Sequence, residues 1–555
     1  MVELLLPAGN LENLKIAVEN GADAVYLGIK RFNARVKAGN FSISELKKVI
    51  DYAHENGVRV YVTLNTLIKN NEIEDFFKSV QEIYLAGADA VIIQEISFAK
   101  VIKENFPDLE VHASTQARIQ NLKELKYFDR IILPRELSKE EIIEIKNNSN
   151  LPIEIFVHGA LCFCISGLCL MSSVIGRRSG NRGICAQPCR KKYNDDYLMS
   201  MKDLSLIKKI KEIKSIGVES VKIEGRLRSK EYVKYVTQVY RKALDGKEIT
   251  NQDVKKLESV FNRKYTGGFY SKDEEKISPQ NIKYKEINHE IHQFQNIKPE
   301  IKIKERISKQ ISIPQLNEKK SNLGFYVKVE NIEGVKQAIR FENVNTIFYY
   351  VDKKDVVEAK KIIKETNKKF YLALPTIMND SDINYYKKKI ETINPDGLLI
   401  NSYNFPTKLD TIYDYGINAF NDYDLELFGK SMISPELSID DLKQFKNKDF
   451  LVLVHGNLTV MTTKNPLPQK LKYDEKFTFP VKKEKDYYKI LNAKEIAILD
   501  NVKILKQNGI NQYFFDLDKN VKKWLDIYTK ILNGEKLNFK KLGKGFTLGH
   551  FNKGV

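Results

Sequence analysis

Cysteine is almost absent from this sequence. The 555-residue chain has five, all between residues 162 and 189. Five thiols so placed argue against a disulfide framework. No run of roughly 18 apolar residues occurs, which argues against a membrane span. The opening MVELLLPAGNLENL has neither the basic nor the long apolar segment of a secretion signal and reads as a strand, so the expected location is the cytoplasm. Histidine is scarce, at seven residues. No HExxH marks a zinc protease, and no GxSxG forms a nucleophile elbow. No GxGxxG follows the first strand, so a dinucleotide-binding fold has no support. There is no CxxC pair, and ferredoxin spacing is missing. Acid is in deficit: 72 Asp and Glu face 91 Lys and Arg, for a net charge of +19. That excess favours a polyanionic partner, RNA or DNA first. A general bias toward Lys, Ile and Asn gives an excess of the same sign.

The length implies roughly two to four domains. Eight strand-like runs lie in the first 270 residues, at 2–9, 22–28, 58–65, 88–95, 109–114, 129–134, 153–159 and 219–225. Amphipathic stretches such as SISELKKVIDYAHENG and SKEEIIEIKNN lie between most of them. Continuous apolar strands alternating with helices indicate a parallel sheet. Eight of them fit a TIM-like (β/α)8 barrel, with an open doubly wound sheet as the alternative. Residues 271–320 are polar and charged and read as a linker with little strand.

Then the first half recurs. LPRELSKEEI (133–142) is echoed by SPELSIDDL (434–442), and FVHGALCFC (156–164) by LVHGNLTVM (453–461). LMSMKDLSLIKKIKEIKSIGVES (198–220) is echoed by ILNAKEIAILDNVKILKQNGINQ (490–512), and YRKALDGKEI (240–249) by YTKILNGEKL (528–537). Thr459 stands in the place of Cys162, and the second copy has no cysteine. The expected architecture is α/β with tandem barrels: residues 1–270 with the cysteine cluster, a linker at 271–320, and a degenerate second barrel at 321–555.

Barrel active sites are built on loops after the C-terminal ends of the strands. The cysteines begin just after the seventh strand, in a long loop that runs to the helix expected at MKDLSLIKKI. A loop of that length in a compact domain is usually functional. GRRSGNRG brings arginines beside the thiols and favours the thiolate, the metal-binding form. Spacing alone leaves four readings open: buried core cysteines, a redox pair, a structural zinc site and an iron–sulfur cluster, which tolerates uneven spacing best. Alternation along the seventh strand puts Glu154, Phe156 and His158 on one face and offers His158 as a base for Cys162.

Other candidates sit at strand ends: Asn33 and Arg35 after the second, Asn65 at the third, Gln116 with His112 and Ser114 after the fifth, and Lys222, Glu224 and Arg226 at the eighth. Charges inside a barrel end are costly unless paired. Lys222 and Glu224 therefore join His158 as catalytic candidates, against a purely structural Lys222–Glu224–Arg226 ion network. Asn33, Arg35, Asn65, Gln116, Arg182 and Arg226 form the expected substrate-binding set, with arginine forks for a small dicarboxylate.

EIFVHGALCFCISGLCLMS (154–172) resembles the signature of the U32 collagenase-like peptidase family, through Glu154, Phe156, Gly159, Ala160, Leu161, Cys162, Gly167, Cys169, Met171 and Ser172. The similarity extends to PAGNLENLKIAVENGADAVYLG, NRGICAQPCRKKY, KIEGR and TQVYRKALDG. It covers residues 2–270 and reaches 323–555 through the internal repeat. The family name implies a protease. Other members imply oxygen-independent hydroxylation of tRNA, 23S rRNA or quinone precursors with a [4Fe–4S] cluster, the RNA-acting ones drawing on prephenate. Position by position, the resemblance implies Cys162, Cys169 and Cys185 as cluster ligands. Val233 stands where several relatives carry the fourth ligand, which leaves Cys189, with Cys164 behind it; zinc is the alternative metal. The expected function is hydroxylation of a base in tRNA or 23S rRNA, with RNA as partner and prephenate as a required metabolite. A collagenase-like peptidase is the alternative.

Overall fold

The computed structural model describes residues 2–119, 125–260, 262–278, 298–303, 305–308, 310–402, 405–538 and 545–555. The first sheet has ten strands: β1 (Glu3–Pro7), β2 (Ala24–Gly28), β3 (Arg59–Leu64), β4 (Ala90–Ile93), β5 (Glu110–Ala113), β6 (Arg130–Ile132), β7 (Ile153–Ala160), β8 (Asp203–Ser205), β9 (Ser220–Ile223) and β10 (Tyr265–Thr266). β1 to β7 and β9 run parallel. They close into an eight-stranded barrel because β9 pairs with both β7 and β1. All eight expected strands are there. Such strands read as unbroken apolar runs because helices cover one face and the barrel interior covers the other. The unexpected strand is β8. Directly after the cysteine loop, where a helix was expected to begin, it runs antiparallel to β7, with Leu204 opposite Gly159. The helix Ile210–Ile216 follows it.

Inside the barrel runs a ladder of charges. Glu3 accepts from Arg59, Arg130, Tyr61 and Ser220. Arg130 also reaches Glu154 at 3.2 Å, and Lys222 donates to Glu154 at 2.8 Å. Every buried charge here faces an opposite one, as a low-dielectric interior requires. Lys222 is therefore paired with Glu154, and the alternative of a structural Lys222–Glu224–Arg226 ion network does not form.

The register of β7 against β9 shifts between Phe156 and His158. This bulge breaks the alternation along β7. Phe156 faces inward, with the Arg135 guanidinium 3.7 Å from its ring centroid. His158 turns outward onto Tyr232 and Tyr240 of the helix Lys230–Leu244.

The second half contains β11 (Gly324–Val329), β12 (Val344–Tyr350), β13 (Lys369–Ala373), β14 (Gly397–Ile400), β15 (Asp410–Tyr413), β16 (Val452–Gly456), β17 (Thr459–Thr463), β18 (Lys470–Tyr473), β19 (Phe477–Glu484), β20 (Tyr487–Leu491), β21 (Glu495–Ala497), β22 (Gln512–Leu517) and β23 (Phe546–Thr547). The order β15-β14-β13-β12-β11-β22-β16 matches β5-β4-β3-β2-β1-β9-β7 of the first half. β21 is antiparallel to β16, as β8 is to β7. In place of β6, Ser431, Met432 and Ile433 make isolated parallel bridges to Tyr413, Leu451 and Ala419.

The bulge recurs between Leu453 and His455. Tyr528 donates to the Val454 carbonyl at 2.8 Å and lies 3.4 Å from His455 Nδ1. Tyr240 does the same to Val157 at 2.9 Å and lies 3.2 Å from His158 Nδ1. Gly159 and Gly456 have φ of 106° and 129°, and an added Cβ would strike the carbonyl of Glu224 or Asp516. Only glycine fits both positions.

β17 to β20 form a separate antiparallel sheet between β16 and β21, where the first half carries its cysteine loop between β7 and β8. The loops after the strands of the two halves meet. Ser97 donates to Asp424 at 2.7 Å, Asn421 to the Ile68 carbonyl at 3.0 Å, and Asn418 to the Gly167 carbonyl at 2.9 Å. The stretch expected as a linker is anchored where it is described. Arg306 donates to the carbonyls of Tyr84 and Ala88, Ser312 to Asn105, and Lys319 bridges to Asn447. Residues 279–297 of that linker lie outside the described residues. Among the described residues no helix is long and apolar enough to cross a membrane.

Candidate active site at the end of β7

Backbone and side-chain contacts from both halves shape the cysteine loop. Ile165 N–H donates to the Thr462 carbonyl and Leu170 N–H to the Val460 carbonyl, each at 2.8 Å, so β17 lies along the loop as a strand would. Glu136 accepts from Ser166, at 2.8 Å from N–H and 3.1 Å from Oγ. Glu436 accepts from Ser179 Oγ at 2.9 Å. These two glutamates occupy the same position of the echoed segments LPRELSKEEI and SPELSIDDL. Equivalent residues of the two halves thus grip the loop from opposite sides. Both are buried, and burial pushes the Glu436 carboxyl up to about 7.

The loop carries all five thiols. Cys162 senses the charge of Cys169, Cys185 that of Cys169 and Cys162, and Cys189 that of Cys162, Cys169 and Cys185. Cys164 stands apart in role: it is 5% exposed, packed in the core, and its thiol bonds to Cys169. That bond, with the N–H groups of Met171 and Ser172, lowers the Cys169 pKa. Burial raises Cys162, while Arg135 and then Arg35 pull it back. Burial pushes Cys189 up to about 12. Among the described residues no three His, Cys, Asp or Glu side chains converge as the ligands of one ion would.

Beside Cys162 lies an arginine pair. Arg35 donates to Glu224 Oε1 at 2.8 Å, and Arg135 donates to Oε2. Burial opposes ionisation of Glu224, yet Arg35 and Arg135 hold its carboxyl down at about 2. Glu224 is a fixed anion between two cations and a poor proton donor. Asn33 accepts from the Arg35 N–H at 2.9 Å, and Asn65 from the Ala34 N–H at 3.0 Å. These two asparagines shape the loop that carries Arg35. Arg226 is buried against Thr63 at 3.0 Å and Asn33 at 3.3 Å, and burial lowers it to about 10. Lys222 lies lower in the barrel, on Glu154.

Two expected substrate residues are elsewhere. The Arg182 fork is taken by Glu72 at 2.6 and 2.7 Å. Gln116 sits where the halves touch, with its carbonyl close against Gly167. The arginines whose charge acts on the thiols are Arg135 and Arg35 at Cys162 and Arg190 at Cys189, and not those of GRRSGNRG. Arg135, Glu136 and Glu436 were missed as site residues. The echoed ELS segments are the signal that marks the two glutamates.

His158 is not a base for Cys162. It is buried among Tyr232, Tyr240 and Tyr265 on the outer side of β7, and burial, then Arg228, lowers its pKa to about 3. His455 repeats this environment in the half that lacks cysteine. The unfolded chain takes up a proton near 6.5 that folded His158 refuses, so this residue costs stability as pH falls from 6.5 toward 3. His158→Asn is expected to flatten the fall of melting temperature with pH across that window and to leave cysteine-loop chemistry intact. A variant with unchanged pH dependence and lost activity would contradict this assignment.

A family model described as Peptidase family U32 matches residues 9–280. An uncharacterized protease of Methanocaldococcus jannaschii is 39% identical over 303 residues, covering 49% of this chain and 74% of its own length. A tRNA hydroxylation protein P of Escherichia coli is 34% identical over 334 residues, covering 48% of this chain and 74% of its own. A 23S rRNA 5-hydroxycytidine synthase of Escherichia coli is 37% identical over 261 residues, covering 44% of this chain and 39% of that one.

Proposed function

The chain belongs to peptidase family U32, and from that premise we propose that it is an RNA-modifying enzyme that hydroxylates a base in tRNA or 23S rRNA through an iron–sulfur site. The observation that carries this is a single loop after β7 that holds Cys162, Cys169, Cys185 and Cys189, with Arg135, Arg35 and Glu224 acting on Cys162. The relatives named for tRNA and rRNA hydroxylation supply the substrate class, and the net charge of +19 suits a polyanion.

Cys162, Cys169, Cys185 and Cys189 would hold a [4Fe–4S] cluster, which supplies one-electron redox chemistry when bound. Cys164 is set aside because its thiol serves Cys169. Val233 is fully buried in its helix and offers no donor. A single zinc ion asks for donors that converge on a point, whereas a cluster has width and takes thiolates that stand apart. Arg35 and Arg135 present a cationic rim for phosphate, or for the carboxylates of an acid such as prephenate. Glu224 keeps the two guanidiniums from repelling one another, and the Glu154–Lys222 pair supports the barrel beneath.

Residues 321–555 form, in this account, a degenerate second barrel set mouth to mouth with residues 1–270, and residues 271–320 tie the two. A cysteine peptidase would need a histidine at Cys162, and among the described residues no histidine is bonded to a cysteine. Mass spectrometry of nucleosides from a strain lacking the gene provides the test. One hydroxylated nucleoside is expected to vanish from tRNA or rRNA, and to return with the wild-type gene but not with Cys162→Ala. Unchanged nucleosides in both RNA pools would refute the proposal.

A further inference from the structure

A cleft of about 760 Å3 opens at the C-terminal ends of β11, β12 and β22, bounded by the β19–β20 hairpin. This volume lies within the ~300–1,000 Å3 range of ligand sites. It is the place in the second half that the cysteine site holds in the first. Its floor carries Lys328 and Asp516, paired at 3.0 Å, and Asp516 is the counterpart of Glu224. A smaller cavity shares Lys328, Thr459, Lys489 and Asp516 with the cleft and is lined on its other side by Gly167, Leu168 and Leu170 of the cysteine loop. The cleft therefore borders the cysteine loop.

Its walls carry Glu330, Asp352, Asp382, Glu484 and Asp516 among their lysines, and beside them an open aromatic face. The deeper lysines are matched: Lys328 by Asp516, Lys353 by Glu330 at 3.1 Å, and Lys482 by Asp518 at 2.7 Å. Lys483 is exposed, has no carboxylate partner among the described residues, and holds its ammonium 5.8 Å from the ring centroid of Tyr488, its neighbour across the β19–β20 hairpin. Tyr385 is 55% exposed, meets Tyr386 edge-on at 5.0 Å, and has Lys389 at 5.8 Å from its ring. An exposed ring costs burial free energy for as long as nothing covers it. Single-stranded nucleic acid is bound by such pairs, with the ring stacking a base and the ammonium meeting a phosphate. A small acid would meet the lysine and leave the ring in water.

We propose that this cleft binds a nucleotide of single-stranded RNA, its base stacked on Tyr385 and its phosphate on Lys483, while the strand continues toward the cysteine loop. The inference rests on the RNA reading above and names the surface that grips the substrate. The test is fluorescence anisotropy of the full chain with a fluorescein-labelled single-stranded RNA at fixed salt. Tyr385→Ala combined with Lys483→Ala is expected to weaken binding roughly tenfold or more, with an unchanged melting temperature. Tyr385→Phe, which keeps the ring, is expected to bind as wild type does. RNA carrying 4-thiouridine is expected to crosslink to Tyr385 or to the β19–β20 hairpin. Tight wild-type binding that the double variant does not weaken, or crosslinks that fall elsewhere, would overturn the cleft and leave RNA as substrate. A wild-type chain that binds no RNA would overturn both.

Discussion

Replacing Glu436 by alanine is expected to loosen the cysteine loop from the far half of the chain. The substitution leaves Ser179 without its acceptor in a buried setting, and an orphaned buried hydroxyl costs about 1–3 kcal/mol. That cost falls on the segment between Cys169 and Cys185, so local opening rises on the order of tenfold or more. In the metal-free chain, Cys169 and Cys185 should react with a disulfide reagent correspondingly faster, read cysteine by cysteine in the mass spectrometer. Glu436→Gln keeps an acceptor and should behave as wild type, because a carboxyl near 7 already spends part of its time neutral. Glu136→Ala should act in the same way on Ser166, two residues from Cys164. Unchanged thiol reactivity in both alanine variants would mean that the halves touch without one holding the other in shape.

The largest loss is expected at Glu224. Its carboxylate neutralises Arg35 and Arg135 beside Cys162. Glu224→Gln leaves the part-buried guanidiniums of Arg35 and Arg135 facing one neutral amide; the cost falls below the roughly 3–5 kcal/mol of a fully buried pair, because the Arg35 side chain is 36% exposed and screened by water. The expected result is a lower melting temperature together with no hydroxylated nucleoside in the complemented deletion strain. The wild-type carboxyl at about 2 also fixes the sign of the pH effect. Its stabilisation is complete above the unfolded value near 4.5 and is lost as pH falls from there through 2. Glu224→Gln should therefore remove part of the acid sensitivity below 4.5. Full activity in this variant would show that the arginine pair plays no part at the site.

The barrel was legible because buried parallel strands write themselves as unbroken apolar runs, as ADAVYLG and ADAVIIQE do. β8 was not, because three residues at KDLS carry no period. The bulge in β7 was also invisible. Alternation in IEIFVHG assumes a regular pleat, and one extra residue sends His158 to the helices and makes a structural residue look catalytic. Arg182 misled because it is near the thiols in sequence while Glu72 claims it in space. The two clamping glutamates were visible as an echo, but their role depends on how the halves meet, and that is not written in either copy alone; Arg135 has no counterpart in the second copy. Asn33, Arg35 and Asn65 lie in one loop cluster beside Glu224 because the C-terminal ends of barrel strands are where side chains converge whatever the chemistry.

The most direct measurement is the metal content of the full chain purified without oxygen. Iron, acid-labile sulfide and the visible spectrum should be recorded for the wild type and for each single cysteine variant. The account expects about four iron and four sulfide per chain. It expects that content to fall in Cys162→Ala, Cys169→Ala, Cys185→Ala and Cys189→Ala, and to survive largely in Cys164→Ala. Zinc without iron, or freely reactive thiols with no metal in any variant, would contradict the iron–sulfur site and with it the proposed hydroxylation.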